Sequence, residues 1–152
     1  MIMRIEFVPG SLFEVPVQNH DHAFALMLAE FPYVAFYAKD ASFDDAGAPI
    51  GAPMFTILVA KPAYASGGWG RPVRQLAGDS LPAIPRFFWQ SPVKKSDCKI
   101  VEPIKRRVPA TPSECVGLEP EAIWSAGHIV SRIVDAYEGR PNAFAESLRV
   151  KL

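Results

Sequence analysis

Short apolar runs separated by turn residues fill the first 110 residues of the chain, a pattern typical of β-strands. Strands are predicted at 12–17, 23–31, 33–37, 54–60, 73–76 and 86–90, with two weaker candidates at 98–101 and 105–108. The run at 54–60 is the clearest buried strand, because it is almost continuously apolar and ends before Pro62. The run at 23–31 also has high helix propensity, but we interpret it as a strand that is covered on both faces.

The spacing of apolar residues changes after Pro120, where they recur every three or four positions as on one face of a helix. A helix is therefore predicted over 120–138, with a shorter one over 142–149. The residues expected to face the core are Ile123, Val130, Ile133 and Tyr137, and those expected to face water are His128, Arg132 and Asp135.

Together these elements predict one α+β domain spanning residues 1–152, strand-rich over 1–110 and helical over 119–150. The predicted architecture is a mostly antiparallel, strongly bent sheet or partly open barrel with the C-terminal amphipathic helix packed on it. Stretches rich in Asp, Gly and Pro at 39–53 and 66–70 are predicted to be loops. The predicted core residues are Leu12, Val15, Phe24, Leu26, Phe36, Ile57 and Val59.

The composition agrees with a folded, soluble chain, since 49% of the residues are hydrophobic and 21% are charged. Fifteen prolines favour many short elements joined by turns. The first residues lack the long apolar core of a secretory signal, and we expect a cytoplasmic protein. Cys98 and Cys115 belong to no C-x-x-C pair, so reduced thiols are expected.

The net charge is zero, but the middle of the chain is basic, which raises the alternative of nucleic-acid binding. Basic side chains crowd the segment 94–107, and the aromatic residues Phe87, Phe88 and Trp89 lie just before it. Stacking of bases on these rings is one interpretation. We favour core aromatics and solvated lysines, because no RNA-binding consensus is present and the isoelectric point is only 6.8.

The cluster His20-Asp21-His22 has two interpretations, a metal site and a hairpin turn. Histidines two positions apart on a strand would point to the same face and could share a metal ion. They lie between two predicted strands, however, where Asn and Asp favour turns, and no third ligand is close in the sequence. The hairpin turn is therefore favoured.

Motifs of catalysis and of cofactor binding are missing from the sequence. Ser66-Gly67-Gly68 is not a nucleophile elbow, and neither a phosphate-binding loop nor a dinucleotide fingerprint occurs. A spatial pair of Cys115 and His128 stays open as an alternative. Asp40, Asp44 and Asp45 lack the spacing of a calcium loop, so an exposed acidic loop is expected. We predict no catalytic residue, no metal and no cofactor.

Several segments resemble the immunity protein 26 family of bacterial polymorphic toxin systems. They are P-G-S-L-F-E-V-P-V, A-F-A-L-M-L and Y-V-A-F-Y near the N-terminus and P-A-T-P-S-E-C-V-G-L-E-P-E-A-I-W-S-A-G-H-I-V-S-R-I-V-D-A-Y-E-G near the C-terminus. The resemblance covers both ends, about half the chain, and carries no catalytic residue. It implies a mostly β fold and a protein that neutralises a cognate toxin by binding it.

A binding protein of this kind needs a rigid scaffold and one contact patch rather than a reaction centre. The best candidates for partner binding are Asp40, Asp44 and Asp45 in the acidic loop and Trp69 on its glycine-rich segment. The alternative for these residues is ordinary surface and satellite core. The alternatives for the protein are a small enzyme or ligand-binding domain and a weak nucleic-acid binder through 94–107.

Overall fold

The computed structural model describes residues 3–103 and 106–152, and their strands divide between two sheets. The strands are β1 (Ser11–Pro16), β2 (His22–Met27), β3 (Tyr33–Tyr37), β4 (Phe55–Val59), β5 (Arg74–Gln75), β6 (Phe87–Gln90), β7 (Cys98–Glu102), β8 (Arg106–Ala110), β9 (Glu119–Pro120) and β10 (Ile123–Trp124). The helices are α1 (Pro62–Ala65), α2 (Ala126–Tyr137) and α3 (Ala143–Ser147), and 3₁₀ turns cover Gly78–Ser80 and Pro112–Cys115. The predicted α+β class is confirmed.

The first sheet has the order β10-β4-β3-β2-β1-β5 and is antiparallel except where β10 joins β4. Its centre is a meander in which each strand pairs with the next, as short turns between apolar runs allow. In the register, Leu26 lies opposite both Leu12 and Ala35. Side chains alternate between faces along every strand, so this register collects large apolar residues on both faces of the sheet.

The helices cover one face of the first sheet and form the larger core with it. Ile129 and Ile133 of α2 are fully buried there, and so is Trp124 of β10. The sheet contributes Phe13, Val15, Ala25, Met27, Phe36, Ile57 and Val59. Burial of this much apolar surface is the main stabilising term of the fold.

Loops cover the other face of the first sheet. Leu12, Phe24, Leu26, Ala35 and Tyr37 form a second cluster under segments 41–48 and 76–84. Every residue from 23 to 28 is therefore buried, which confirms coverage on both faces. The predicted end at residue 31 is wrong, because β2 ends at Met27 and residues 29–31 form an exposed turn. All seven predicted core residues are buried as well.

The second sheet has the order β8-β7-β6-β9 and packs against the first through one of its faces. Phe87 and Val101 meet Leu58 of the first sheet on that side. On the opposite face, Phe88 packs with Cys98 and Ile100 in a small separate cluster. Of the predicted strand 105–108, Lys105 lies outside the described residues, and β8 begins at Arg106.

The predicted start of the long helix is wrong, because the chain stays extended until Ser125 and α2 begins at Ala126. Ile123 belongs instead to β10, where it pairs with Leu58. Trp124 then points into the core, and Ile123 is 65% exposed rather than buried. The register of β10 therefore decides which of the two neighbouring residues faces the interior.

The remaining predictions for this helix are partly confirmed. Ile133 is buried and His128 is exposed, as expected, while Val130 and Tyr137 are half-buried. Arg132 and Asp135 were expected to face water, but their side chains are only 16% and 15% exposed because each is held in an ion pair.

No helix in the described ranges is long and apolar enough to cross a membrane.

Candidate functional site

The segment between β3 and β4, residues 38–53 and called here the acidic loop, folds back on itself as a small hairpin. Phe43 and Pro49 form an isolated β-bridge. Inside it the Asp44 amide donates to the Ala48 carbonyl at 2.9 Å, and outside it the Ile50 amide donates to the Ser42 carbonyl at 2.8 Å. The predicted loop is therefore ordered by its own backbone hydrogen bonds.

The aspartates of the acidic loop have two different roles. Asp44 is structural, because its Oδ1 accepts a hydrogen bond from the Ala48 amide at 3.0 Å and closes the turn. Asp40 and Asp45 are exposed, and neither makes an ion pair with any other described residue. Their carboxylates carry the negative charge that a partner would meet.

Arg74 of β5 fixes the tip of the acidic loop to the first sheet. Its Nη1 donates to the Gly47 carbonyl at 3.1 Å, and its guanidinium lies 5.5 Å from the centre of the Phe43 ring. Phe43 in turn packs edge-on against Phe24 at 5.0 Å between ring centres. Gly47 has φ +85° and a Cβ there would collide with the Arg74 side chain, so the close approach requires glycine.

Tyr137 fixes the beginning of the acidic loop. Its hydroxyl accepts from the Lys39 amide at 2.9 Å and donates to the His22 carbonyl at 2.8 Å. Burial raises the pKa of Tyr137, so the hydroxyl keeps the proton that it donates. One side chain at the end of α2 thus joins the start of the loop to the β1–β2 hairpin.

An exposed apolar residue of the same loop, Ile50, was missed by the sequence interpretation. It is 57% exposed, while its backbone is held by Ser42 across the loop. Ile50 lies within a stretch rich in Asp, Ala, Gly and Pro, which predicts neither a strand nor a helix that could bury it. Its exposure could therefore have been predicted from the sequence. An exposed apolar side chain on an ordered backbone is a feature that contact surfaces of proteins use.

Trp69 is not the exposed anchor that the sequence suggested. Its side chain is only 5% exposed and lies within the larger core. The indole contacts Phe13, Phe36 and Tyr64, with ring centres 5.5 to 5.8 Å apart. Its glycine-rich segment follows α1, and the ring packs in the larger core rather than at the surface or in a satellite cluster.

The His20-Asp21-His22 cluster forms the end of the β1–β2 hairpin, as predicted. Asn19 has φ +68°, a conformation common for Asn in turns. His20 Nε2 lies 3.3 Å from Glu138 Oε2 at the end of α2, and His22 packs against Phe24. Among the described residues no group of three or more His, Cys, Asp or Glu is placed to hold a metal ion.

The alternative of a Cys115–His128 catalytic pair finds no support in the geometry. Cys115 is fully buried, and burial raises the pKa of its thiol, with the neighbouring Cys98 adding to the shift. A catalytic cysteine needs the opposite, an accessible thiol with a lowered pKa. His128 stacks instead on Phe144, with ring centres 3.8 Å apart.

The described basic residues of 94–107, which exclude Lys105, lie on the second sheet and its β6–β7 turn and are partly neutralised. Lys99 pairs with Asp97 at 3.2 Å, and Arg107 pairs with Glu121 at 2.6 Å. Phe87 and Phe88 are core residues, which leaves Trp89 as the half-buried ring of the three. Charges of opposite sign therefore interleave here, as the favoured interpretation expects.

A cleft with a volume of about 310 Å³ lies between the C-terminal segment and the turn that precedes β9. At its wall Arg132 donates from Nη1 and Nη2 to the two carboxylate oxygens of Glu119, at 2.9 and 2.6 Å. The guanidinium also lies 4.2 Å from the ring centre of Phe55 and 5.0 Å from that of Trp124. The ion pair therefore joins α2 to β9 at the wall of this cleft.

Comparisons of the chain with protein-family models, with curated proteins and with solved structures find no match. The interpretation of function therefore rests on the geometry of the described residues and on the resemblance given above.

Proposed function

We propose that this protein is a non-catalytic binding protein that neutralises a cognate toxin by direct contact, with the acidic loop as its contact surface. The observation that carries the proposal is that the loop is exposed and yet fixed in position. The segmental resemblance to the immunity protein 26 family supplies the class of partner, a toxin domain of a polymorphic toxin system.

Fixation of the acidic loop supports a binding role for a thermodynamic reason. Ordering a flexible loop during association costs conformational entropy, and a loop that is already ordered avoids that cost. Here Arg74 holds the tip, Tyr137 holds the start, and Asp44 closes the turn. These three anchors stabilise the fold itself, and in a contact surface they would also favour affinity by removing the cost of ordering the loop.

The chemistry of the acidic loop also indicates the kind of surface that it would meet. Asp40 and Asp45 favour a partner with basic residues, since opposite charges accelerate encounter. Ile50 would be desolvated in the contact and supply apolar energy. A basic toxin surface with an apolar pocket fits both features.

The first test searches the reading frames beside this protein's gene for a secreted protein with a C-terminal toxin domain and co-expresses that domain with this protein. We expect cells to survive when both proteins are made, and the two proteins to co-purify. Equal killing with and without this protein, together with no co-purification, would contradict the proposal.

The second test locates the contact surface by charge reversal. Replacing Asp40 and Asp45 together by Lys is expected to slow association with the toxin about tenfold or more at low salt and to weaken the salt dependence of the rate. Asp44 is left unchanged because it closes the turn. The two single variants, Asp40→Lys and Asp45→Lys, are each compared with the matched control Glu30→Lys, which makes the same charge change on an exposed residue between β2 and β3, at the other end of the sheet. Equal rates for the single variants and the control would place the contact elsewhere.

A further inference from the structure

Two buried cysteines meet in the small core on the outer face of the second sheet. Cys98 begins β7 and is 1% exposed, and Cys115 ends the 3₁₀ turn Pro112–Cys115 and is 0% exposed. Both side chains belong to the same cluster of buried residues, together with Phe88 and Ile100. The Cys98 thiol donates its proton to the Lys95 carbonyl at 3.3 Å.

The register of the second sheet explains how residues so far apart in sequence come together. Cys98 lies opposite Ala110 in the β7–β8 ladder. Immediately after β8 the chain makes its 3₁₀ turn, which folds back over the sheet and carries Cys115 into the cluster that contains Cys98, Phe88 and Ile100. The Thr111 hydroxyl accepts from the Glu114 amide, and the Glu114 carboxylate accepts from the Thr111 amide, so a capping box holds this turn.

We propose that Cys98 and Cys115 form an oxidation site that closes to an intramolecular disulfide by exchange with a low-molecular-weight disulfide, through opening of the 3₁₀ turn. The Cys115 thiol loses its proton to water and, as the thiolate, attacks the reagent disulfide. One thiolate leaves, and a mixed disulfide remains on Cys115. The thiolate of Cys98 then attacks the Cys115 sulfur and releases the second thiolate. The protein loses two protons and two electrons, and the reagent gains them as two thiols.

Opening of the turn is required because the closed structure protects both sulfurs. Neither thiol is accessible, and burial raises the pKa of Cys115. The residues around it are nevertheless at the surface, since Thr111, Ser113, Glu114 and Val116 are exposed. A single turn held by its cap is a small unit, and such units open without global unfolding.

The disulfide would stabilise the second sheet, whose outer face carries only a small core. It would link the first residue of β7 to the turn that follows β8 and so enclose the whole β7–β8 hairpin. A cross-link of this kind restricts the unfolded chain and stabilises the folded state relative to it. The oxidised protein is therefore the more stable form.

The test uses the full chain, reduced and then incubated in its folded state with oxidised glutathione at a pH near the ordinary cysteine pKa of about 8.5. We expect a mass lower by two hydrogens, a Cys98–Cys115 cross-linked peptide after digestion, and no free thiol in denaturant. The melting temperature should rise by roughly 5–10 °C and return when a reductant is added. Protein that stays reduced, or that accumulates only mixed disulfides or linked dimers, overturns the proposal.

Matched variants test the route. Cys98→Ser should stop at the mixed disulfide on Cys115, because the second nucleophile is missing. Thr111→Val removes the hydroxyl of the cap and should speed disulfide formation severalfold, whereas Ser113→Ala, on the same turn, should leave the rate unchanged. Equal rates for these two variants would contradict opening of the turn. The peptide map of the unaltered protein decides whether the bond forms even where a variant folds poorly.

Discussion

Ile133 and Ile123 lie ten positions apart, yet one is buried and the other is exposed. Ile133 lies on the inner face of α2 and is 0% exposed, in contact with the core that the helix shares with the first sheet. Ile123, on β10, is 65% exposed. Sequence spacing placed both on one helix face, but the structure leaves only Ile133 in the interior.

We predict that Ile133→Asp lowers the free energy of unfolding by about 3–5 kcal/mol, because it removes packing and buries a carboxylate without a partner. Ile123→Asp is the matched control, and its effect should stay within about 0.5 kcal/mol. Urea denaturation followed by circular dichroism measures both. A fully folded Ile133→Asp protein with an unchanged midpoint would contradict the assignment of this helix face.

At the scale of secondary-structure elements, side-chain hydrogen bonds fix the C-terminal end of α2 to the segment that follows it. Asp135 accepts hydrogen bonds from Asn142 at 2.8 Å and from Arg140 at 2.6 Å, and thereby joins α2 to the start of α3. These hydrogen bonds, from Asn142 first and Arg140 second, hold the pKa of Asp135 below its ordinary value of 3.8. The neighbouring Glu138 also has a lowered pKa, through its hydrogen bonds to His20 and Arg140.

The sign of the resulting pH dependence follows from linkage. A carboxylate whose pKa is lowered by folding stabilises the folded state above its unfolded pKa, and this contribution disappears as pH falls through the folded pKa. We therefore predict that acid destabilises the protein below about pH 4. The variant Asp135→Asn should be less stable than the parent at pH 7 and should approach it as pH falls toward 2 in urea titrations. A constant difference across that range would contradict the role given to Asp135.

At the scale of the whole molecule, Arg132 and Glu119 join the two sheets. Arg132 lies on α2, which packs on the first sheet, and Glu119 lies on β9 of the second. The guanidinium pairs with both carboxylate oxygens and rests on Phe55 and Trp124. With the side chains only 16% and 29% exposed, water weakens this pair less than an ion pair at the surface.

We predict a coupling free energy of about 1–3 kcal/mol between Arg132 and Glu119 in a double-mutant cycle. The single variants are Arg132→Met and Glu119→Gln, and their combination completes the cycle. The matched control is Arg149 with Glu146, a surface pair at 71% and 46% exposure, for which coupling within about 0.5 kcal/mol is expected. Equal coupling for the two pairs would show that Arg132 does not join the sheets.

The sequence predicted the features that depend on neighbouring residues, and it missed those that depend on contacts between distant residues. The four central strands of the first sheet, β1 to β4, and the core residues such as Phe36 and Ile57 were predicted correctly, because apolar runs bounded by Pro and Gly are a local signal. The acidic loop was predicted to be exposed for the same reason. Its order was not predicted, since Arg74 and Tyr137 reach it from distant parts of the chain.

The sequence by itself thus determined the α+β class, the central strands, the turn at His20-Asp21-His22 and the presence of an exposed acidic segment. Only the tertiary structure decided that Trp69 is buried, that Ile123 is exposed, and that Cys98 meets Cys115. Alternation along a strand tells which residues share a face, but it does not tell what covers that face. That choice depends on contacts between residues far apart in the chain, and these form only when the whole molecule folds.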